Sequence, residues 1–200
     1  MRLVRRATLL GILMALFLQG NAFAATVNVS AVEFSFTPSL AKVKMGDTIH
    51  WTNNGTVVHT STQDTPLGLW DSGTLNPGAS FDFLLYAAGI YNYHCSFHQA
   101  QGMVASAGAK PTARPPNGPV GTMFTITVAS IDAPAGFVYD VQKKDPGGSF
   151  TDWKLGITTK TTTFDSTGQP TGKYSFRSRL HRLSNNGVSG YSPAANITVT

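Results

Sequence analysis

The chain has 200 residues, of which 42% are hydrophobic and 12% are charged, and it contains one cysteine. A single cysteine excludes an intramolecular disulfide framework. The formal net charge of +5 gives little support to a nucleic-acid partner, because the basic residues are spread out and form no recognition motif.

The first 24 residues have the pattern of a signal peptide. A basic start, MRLVRR, precedes an apolar run over residues 7–18 and an Ala-x-Ala cleavage signal that ends at Ala24. The apolar run is shorter than the about 20 residues that a membrane-spanning helix needs. We therefore predict cleavage after Ala24, export to the periplasm or the extracellular space, and no transmembrane anchor.

The remaining residues divide into two parts around a proline-rich segment. Residues 107–121 read AGAKPTARPPNGPVG and show no apolar periodicity. Charge changes at the same place: residues 25–108 carry two lysines against five carboxylates, whereas residues 109–200 carry ten basic residues against five aspartates. We predict domains over residues 25–108 and 117–200, joined by a linker over residues 109–116.

Short stretches of alternating polarity, rich in aromatic and β-branched residues, predict strands in the first part. These stretches cover residues 27–30, 32–36, 48–51, 81–86 and 91–95. Turn signals separate them, and no helical period is present. Strands without intervening helices favour antiparallel sandwiches over a parallel sheet, so the predicted fold class is all-β.

The same alternation sorts the histidines. His50 and His94 fall on the strand faces opposite the apolar residues, which indicates solvent-facing side chains. Cys95 shares its face with two tyrosines and should point inward. His59 and His98 lie where the strand pattern has stopped, so both are available for a site.

The lone cysteine is either a buried, inert side chain or a ligand, because a free thiol is unusual outside the cytoplasm. Cys95, His98 and Met103 form C-x-x-H-x-x-x-x-M, and His59 lies in a separate loop. Two imidazoles, one thiolate and a weak thioether suit copper, whereas zinc prefers four good donors. Met45 is a rival thioether, but its predicted turn makes it the weaker candidate.

Residues 25–106 resemble a cupredoxin of the plastocyanin and azurin superfamily. The resemblance rests on residues 45–54 with 58–60, 71–81 and 88–98. It implies a Greek-key β-sandwich with one type 1 copper per chain. It also implies that His59, Cys95 and His98 are equatorial ligands, that Met103 is the axial ligand, and that the Thr60 amide donates to the cysteine sulfur.

The chain departs from this family's pattern at two places. Phe97 stands where plastocyanins usually have proline, which would enlarge the apolar surface around His98. The residues after Met103, VASAG, are small, so we expect a short or poorly held closing strand. Trp70 either flanks the copper or covers the core.

Residues 117–200 resemble a fibronectin type III domain. Residues 169–179 are similar to that fold's strand F, with a tyrosine corner at Tyr174, and residues 187–193 and 197–200 are similar to its last turn and strand. The resemblance implies a second, immunoglobulin-like β-sandwich. Such a domain binds a protein or glycan partner or acts as a spacer.

These features predict an exported blue copper protein that carries electrons and is not an enzyme. Its redox protein partners would dock transiently near the exposed edge of His98. Copper storage or delivery, and an adhesion or matrix role, are the alternatives. Oxygen or nitrite chemistry at copper needs further histidine-rich centres, and the three remaining histidines are scattered.

Overall fold

The computed structural model describes residues 24–200, so the predicted signal peptide, except for Ala24, lies outside the described residues. Within that range the chain forms seventeen strands and one short 3₁₀ helix, which confirms the all-β fold class. No helix among these residues is long and apolar enough to cross a membrane.

Residues 26–109 form two four-stranded sheets. One has the order β2-β1-β4-β6 and the other the order β3-β8-β7-β5. The strands are β1 (Thr26–Val32), β2 (Ser35–Thr37), β3 (Leu40–Val43), β4 (Asp47–Asn53), β5 (Thr62–Gln63), β6 (Ser80–Leu85), β7 (Gly89–His94) and β8 (Val104–Ala109), with the 3₁₀ helix at Gln99–Gln101. Alternate residues of these strands face a shared core that includes Trp51, Tyr91 and Tyr93.

Two predictions about these strands were wrong. The single strand expected over residues 32–36 is split by a turn at Glu33 and Phe34, after which β2 pairs antiparallel with β1. The sheets are also mixed, because β1 pairs parallel with β4 and β3 pairs parallel with β8. Alternation reports which face a residue occupies and carries no information about the direction of the neighbouring strand.

The closing strand β8 is neither short nor loose. Its six residues lie between β7 and β3 and pair with both. Ala105, Ala107 and Ala109 point inward and are buried. Their small side chains leave room for the bulky aromatic residues of the same core cluster, so the run of small residues reflects packing.

The second half forms two further sheets, with the orders β14-β11-β9 and β10-β17-β15-β12-β13, and β16 pairs with β15. The strands are β9 (Thr112–Arg114), β10 (Asn117–Gly118), β11 (Met123–Thr127), β12 (Phe137–Lys144), β13 (Phe150–Ile157), β14 (Thr161–Asp165), β15 (Gly172–Arg182), β16 (Gly187–Val188) and β17 (Ala195–Val199). The Tyr174 hydroxyl donates to the Pro170 carbonyl over 2.7 Å. A tyrosine corner makes this kind of contact.

The segment predicted as a linker, residues 109–116, is more ordered than expected. It contains β9, which pairs antiparallel with β11. Because β9 is an edge strand, the prolines that flank it remove no hydrogen bond from a central ladder. Proline content alone therefore did not distinguish an edge strand from a linker.

Backbone hydrogen bonds join the two halves directly. Ile90 and Gly190 exchange N–H to O bonds of 2.9 and 2.8 Å. Ala88 N donates to Val128 O over 2.9 Å, and Ser130 N donates to Tyr86 O over 2.8 Å. The second half thus extends the sheet edge at the start of β7, and buried residues of both halves belong to one core cluster.

A loop of the first half is also held by the second half. Arg182 and Asn185 donate to the carbonyls of Gly68 and Pro66 over 3.0 and 2.6 Å. Gly187 lies against the same loop, where a Cβ atom would come within 2.6 Å of the Pro66 carbonyl. A side chain at position 187 would therefore force this contact apart.

We expect Gly187→Ala to destabilise the protein by about 2 kcal/mol, because overpacking against backbone is poorly relieved. The damage should be local to the contact. Urea unfolding will measure the loss, and faster amide exchange at Leu67 and Gly68 will locate it.

Gly148→Ala is the matched control. A Cβ atom at position 148 meets its nearest neighbour at 3.5 Å, which is ordinary contact. This variant should retain wild-type stability and exchange rates. Equal destabilisation by the two substitutions would contradict the importance of the contact at Gly187.

Candidate metal centre

Three predicted ligands converge at one end of the first sandwich. His59 follows β4 in a loop, where it exchanges backbone hydrogen bonds of 3.0 and 2.8 Å with Leu75. Cys95 comes directly after β7, and His98 lies at the start of the 3₁₀ helix. Residues from two different loops are therefore placed together by paired backbone.

The donor atoms of these side chains face one another. The Nδ1 atoms of His59 and His98 lie 3.7 and 3.4 Å from Cys95 Sγ and 3.2 Å apart. The potential ligand atoms of these three side chains all lie within 4.8 Å of one another. Within residues 24–200, they form the one such group of three or more His, Cys, Asp or Glu side chains.

The spacing fits a shared metal ion. Donors placed about 2.0–2.3 Å from a metal, at angles between tetrahedral and trigonal, lie about 3.3–4 Å apart, and the observed separations of 3.2–3.7 Å are close to this range. The donor set of two imidazoles and one thiolate is that of trigonal copper sites with a weak axial thioether. The residues present therefore fit copper.

Burial favours the neutral form of the His59 imidazole, which is the form that binds a metal cation. His59 and Cys95 have no exposed surface, whereas His98 is partly exposed. Burial lowers the pKa of His59 below its usual range, and the neighbouring His98 lowers it further. An imidazole that stays neutral keeps its lone pair for a metal.

The contact expected at the cysteine sulfur is present. The Thr60 amide donates to Cys95 Sγ over 3.3 Å. The Ser96 amide in turn donates to Thr60 Oγ1 over 2.8 Å. These bonds tie the two ligand loops together on either side of the sulfur and restrict its movement.

Met103 is fully buried, as an axial thioether would be. Its carbonyl accepts from the Cys95 amide over 3.0 Å, and its own amide donates to the His98 carbonyl over 3.3 Å. The methionine is thus fixed to the two ligands that precede it. The rival Met45 is partly buried and packs against the hydrophobic core.

Other side chains singled out in the sequence lie outside this centre. His50 Nδ1 bonds to Asp82 over 2.6 Å, and His94 Nδ1 bonds to Asp64 over 2.7 Å. Trp70 is a core residue, since its ring packs against aromatic neighbours. Its indole N–H donates to Ser61 Oγ over 3.1 Å, which supports the loop two residues after His59.

Asn53 is an important residue that the sequence interpretation treated only as part of a turn. It is the buried last residue of β4. Its Nδ2 donates to the carbonyls of Val57 and Leu75 over 2.8 Å each, and its Oδ1 accepts from the Gly55 amide. The Asn53 side chain therefore links Gly55 and Val57, which precede His59 in its loop, to Leu75, which pairs with His59.

The Glu33–Phe34 turn was also missed as part of the site, and it contacts both histidine loops. The Glu33 carboxylate accepts hydrogen bonds from the backbone and hydroxyl of Thr56, which lower the pKa of Glu33 to about 2. The Phe34 ring meets His98 edge-on, with centroids 5.2 Å apart. Phe34 has a φ of 63°, which is strained for an aromatic residue.

We expect Phe34→Gly to be more stable than Phe34→Ala by about 1 kcal/mol. Both variants lose the ring, but only glycine relieves the left-handed backbone. Urea unfolding of the two proteins will measure the difference. An alanine variant as stable as the glycine variant would show that the turn stores no strain.

The comparisons with known proteins concern this part of the chain. A family model described as copper binding proteins, plastocyanin/azurin family, matches residues 23–107. Chloroplast plastocyanin of Tetradesmus obliquus is 33% identical over 99 residues, which cover 45% of this chain and 68% of that protein. Chloroplast plastocyanin of Pisum sativum is 32% identical over 100 residues, which cover 44% and 60%.

Among solved structures, a purple cupredoxin from Nitrosopumilus maritimus is 25% identical. The match covers 42% of this chain and 98% of that one, with a TM-score of 0.37. Because the plastocyanin of Tetradesmus obliquus is 33% identical and is matched over two thirds of its length, the chain belongs to the plastocyanin/azurin family of copper-binding proteins.

Proposed function

We propose that this protein is an exported type 1 copper protein that carries single electrons between redox partners. Copper is its cofactor, and His59, Cys95, His98 and Met103 are the proposed ligands. The observation that carries this proposal is the triangle of two Nδ1 atoms and one Sγ atom, with sides of 3.2–3.7 Å. When bound, copper supplies a one-electron redox couple.

The surrounding residues favour electron transfer because they hold the donors in place. Thr60 binds the Cys95 sulfur, Asn53 fixes the His59 loop, and backbone bonds fix Met103. Ligands that do not move between oxidation states keep the reorganisation cost low. The protein's contribution is therefore preorganisation of the site.

The proposed docking surface surrounds His98, the partly exposed ligand. Phe34 and Phe97 are about half exposed, at 50% and 51%, and Val57 is 40% exposed. These apolar side chains, with the exposed Glu33 carboxylate beside Phe34, suit brief contact with a redox protein, and the adjacent imidazole edge supplies a short route to the centre. This surface is the proposed site of transient docking.

We propose that residues 117–200 are a fibronectin type III-like module that follows a cupredoxin domain over residues 25–108. The Tyr174 to Pro170 hydrogen bond supports this assignment. The module joins β7 at Ile90, five residues before Cys95, which is about 16 Å along a strand. It serves as a spacer or binds a protein or glycan partner.

The proposed location is the periplasm or the extracellular space, reached through the signal peptide predicted over residues 1–24. A copper site protects the one cysteine in such surroundings, because the thiolate would be held by the metal. The protein is proposed to be a carrier and not an enzyme, since its histidines do not supply a second copper centre of the kind that oxygen or nitrite chemistry requires.

Addition of Cu(II) to the mature protein tests the proposal. We expect an intense visible thiolate-to-copper band that disappears on reduction and returns on oxidation, with copper retained over repeated cycles. A colourless adduct would contradict a type 1 site.

The alternative, copper delivery, makes a different prediction in the same preparation. A delivery protein should lose Cu(I) readily to a competing acceptor, whereas a carrier should exchange electrons rapidly and keep its metal. Measurement of both rates on one sample separates the two functions.

A further inference from the structure

A groove lies between the two sandwiches, far from the copper centre. It has a volume of about 460 Å³, which is within the range of small-molecule sites. Its floor is the outer face of β3, β8 and β7, and Pro193 of the second sandwich contributes to its lining. The groove therefore exists only where the two halves meet.

The floor of the groove is apolar because Gly108 has no side chain, so the side chains of Ile90 and Leu40 extend over its backbone. Gly108 on β8 pairs with Lys42 on one side and Ile90 on the other. A Cβ atom at position 108 would lie 2.9 Å from Ile90 Cδ1 and 3.7 Å from Leu40 Cδ1. Leu40 is 43% exposed, so this apolar surface is open to a ligand.

Three lysines surround the floor. Lys42, Lys44 and Lys110 line the groove, and within residues 24–200 none of them has a carboxylate within salt-bridge distance. The nearby Asp47 is buried, and its carboxylate already accepts from the Ala25 and Lys44 amides. The positive charge at the rim is therefore available to an anion.

We propose that this groove binds a free amphiphile with an aliphatic chain and a carboxylate head. The chain would cover Leu40, Ile90 and Pro193, and the carboxylate would pair with the lysines. A neutral apolar ligand would gain no attraction from the ammonium groups, and a cationic one would be repelled. The ligand contacts both halves, so its binding stabilises their contact by mass action.

Dodecanoate, kept below its micelle concentration, is the probe for calorimetric titration of the mature protein. We expect one saturable site and chemical-shift changes at the methyl groups of Leu40 and Ile90. Dodecyltrimethylammonium, which has the same chain and the opposite charge, should not bind. Equal binding of the two amphiphiles would overturn the proposal.

A triple variant tests the lysines. Conversion of Lys42, Lys44 and Lys110 to serine should weaken dodecanoate binding about tenfold, because each exposed ion pair contributes modestly. A second triple variant, with serine at Lys144, Lys160 and Lys173, changes the net charge equally outside the groove and should bind as the wild type does. The same loss in both variants would refute a site at the groove.

The floor is tested by Gly108→Leu, whose Cβ atom would lie 2.9 Å from Ile90 Cδ1 and would displace the aliphatic side chains that form the floor. We expect loss of binding with an unchanged copper spectrum, since position 108 is remote from the metal centre. Full dodecanoate binding by this variant would place the ligand elsewhere. Binding to phosphatidylglycerol vesicles without any binding of dodecanoate would also reject a free carboxylate ligand.

Discussion

Cys95→Ser is expected to abolish the visible thiolate-to-copper band completely. A serine hydroxyl remains protonated at neutral pH and cannot replace the soft thiolate that gives such sites their colour. Copper affinity should fall by more than about 100-fold. Loss of a residue that only hydrogen-bonds a ligand lowers metal affinity by about 10–100-fold, and loss of a ligand itself should cost more. Absorption spectra during Cu(II) titration, with competition against a chelator, will measure both effects.

The neighbouring histidine provides the control. His94 is adjacent to Cys95, but its Nδ1 bonds to Asp64, away from the centre. His94→Gln should therefore retain the band and the affinity. A colour loss in His94→Gln as large as that in Cys95→Ser would mean that the proposed ligand set is wrong.

Asn53→Ala is expected to lower the free energy of unfolding by about 3–5 kcal/mol. The variant loses three hydrogen bonds and leaves the Gly55 N–H and the Val57 carbonyl without their partners, and each unpaired group costs about 1–3 kcal/mol. The Leu75 carbonyl still accepts from the His59 amide. Because these groups belong to the loop that carries His59, copper should also bind more weakly. Urea unfolding of the copper-free protein and a copper competition titration will separate the two effects.

Asn54→Ala is the matched control for this substitution. Asn54 is exposed, and its Nδ2 donates one hydrogen bond, to Ser30 Oγ over 2.7 Å. Its loss should change stability by less than about 0.5 kcal/mol, as is usual at the surface. If the two asparagine variants were equally destabilised, the buried hydrogen bonds of Asn53 would not explain the effect.

Residue types and spacing were sufficient to predict which donor side chains come together. The alternation along β7 placed Cys95 on the inward face, and the residues after it fell in a loop where His98 and Met103 are close in sequence. The structure brings His59 to the same point, as the combination of donor chemistries predicted. The donors themselves are few and chemically distinctive, which is why a single sequence reveals them.

The residues that position the ligands were harder to predict. Asn53 reads as a turn residue, and Phe34 reads as part of a strand. Their roles depend on contacts with residues distant in sequence: Leu75 for the Asn53 amide and His98 for the Phe34 ring. Common residue types at ordinary spacings carry no sign of such contacts.

The sequence by itself determined the all-β class and the chemistry of the proposed copper ligands, because alternation and donor type are local properties. Only the tertiary structure decided the parallel pairs, the ordered strand β9 and the direct pairing of Ile90 with Gly190. Those contacts are made mainly by backbone N–H and C=O groups, which are nearly the same in every residue. Their partners are therefore selected by the folded arrangement of the whole chain.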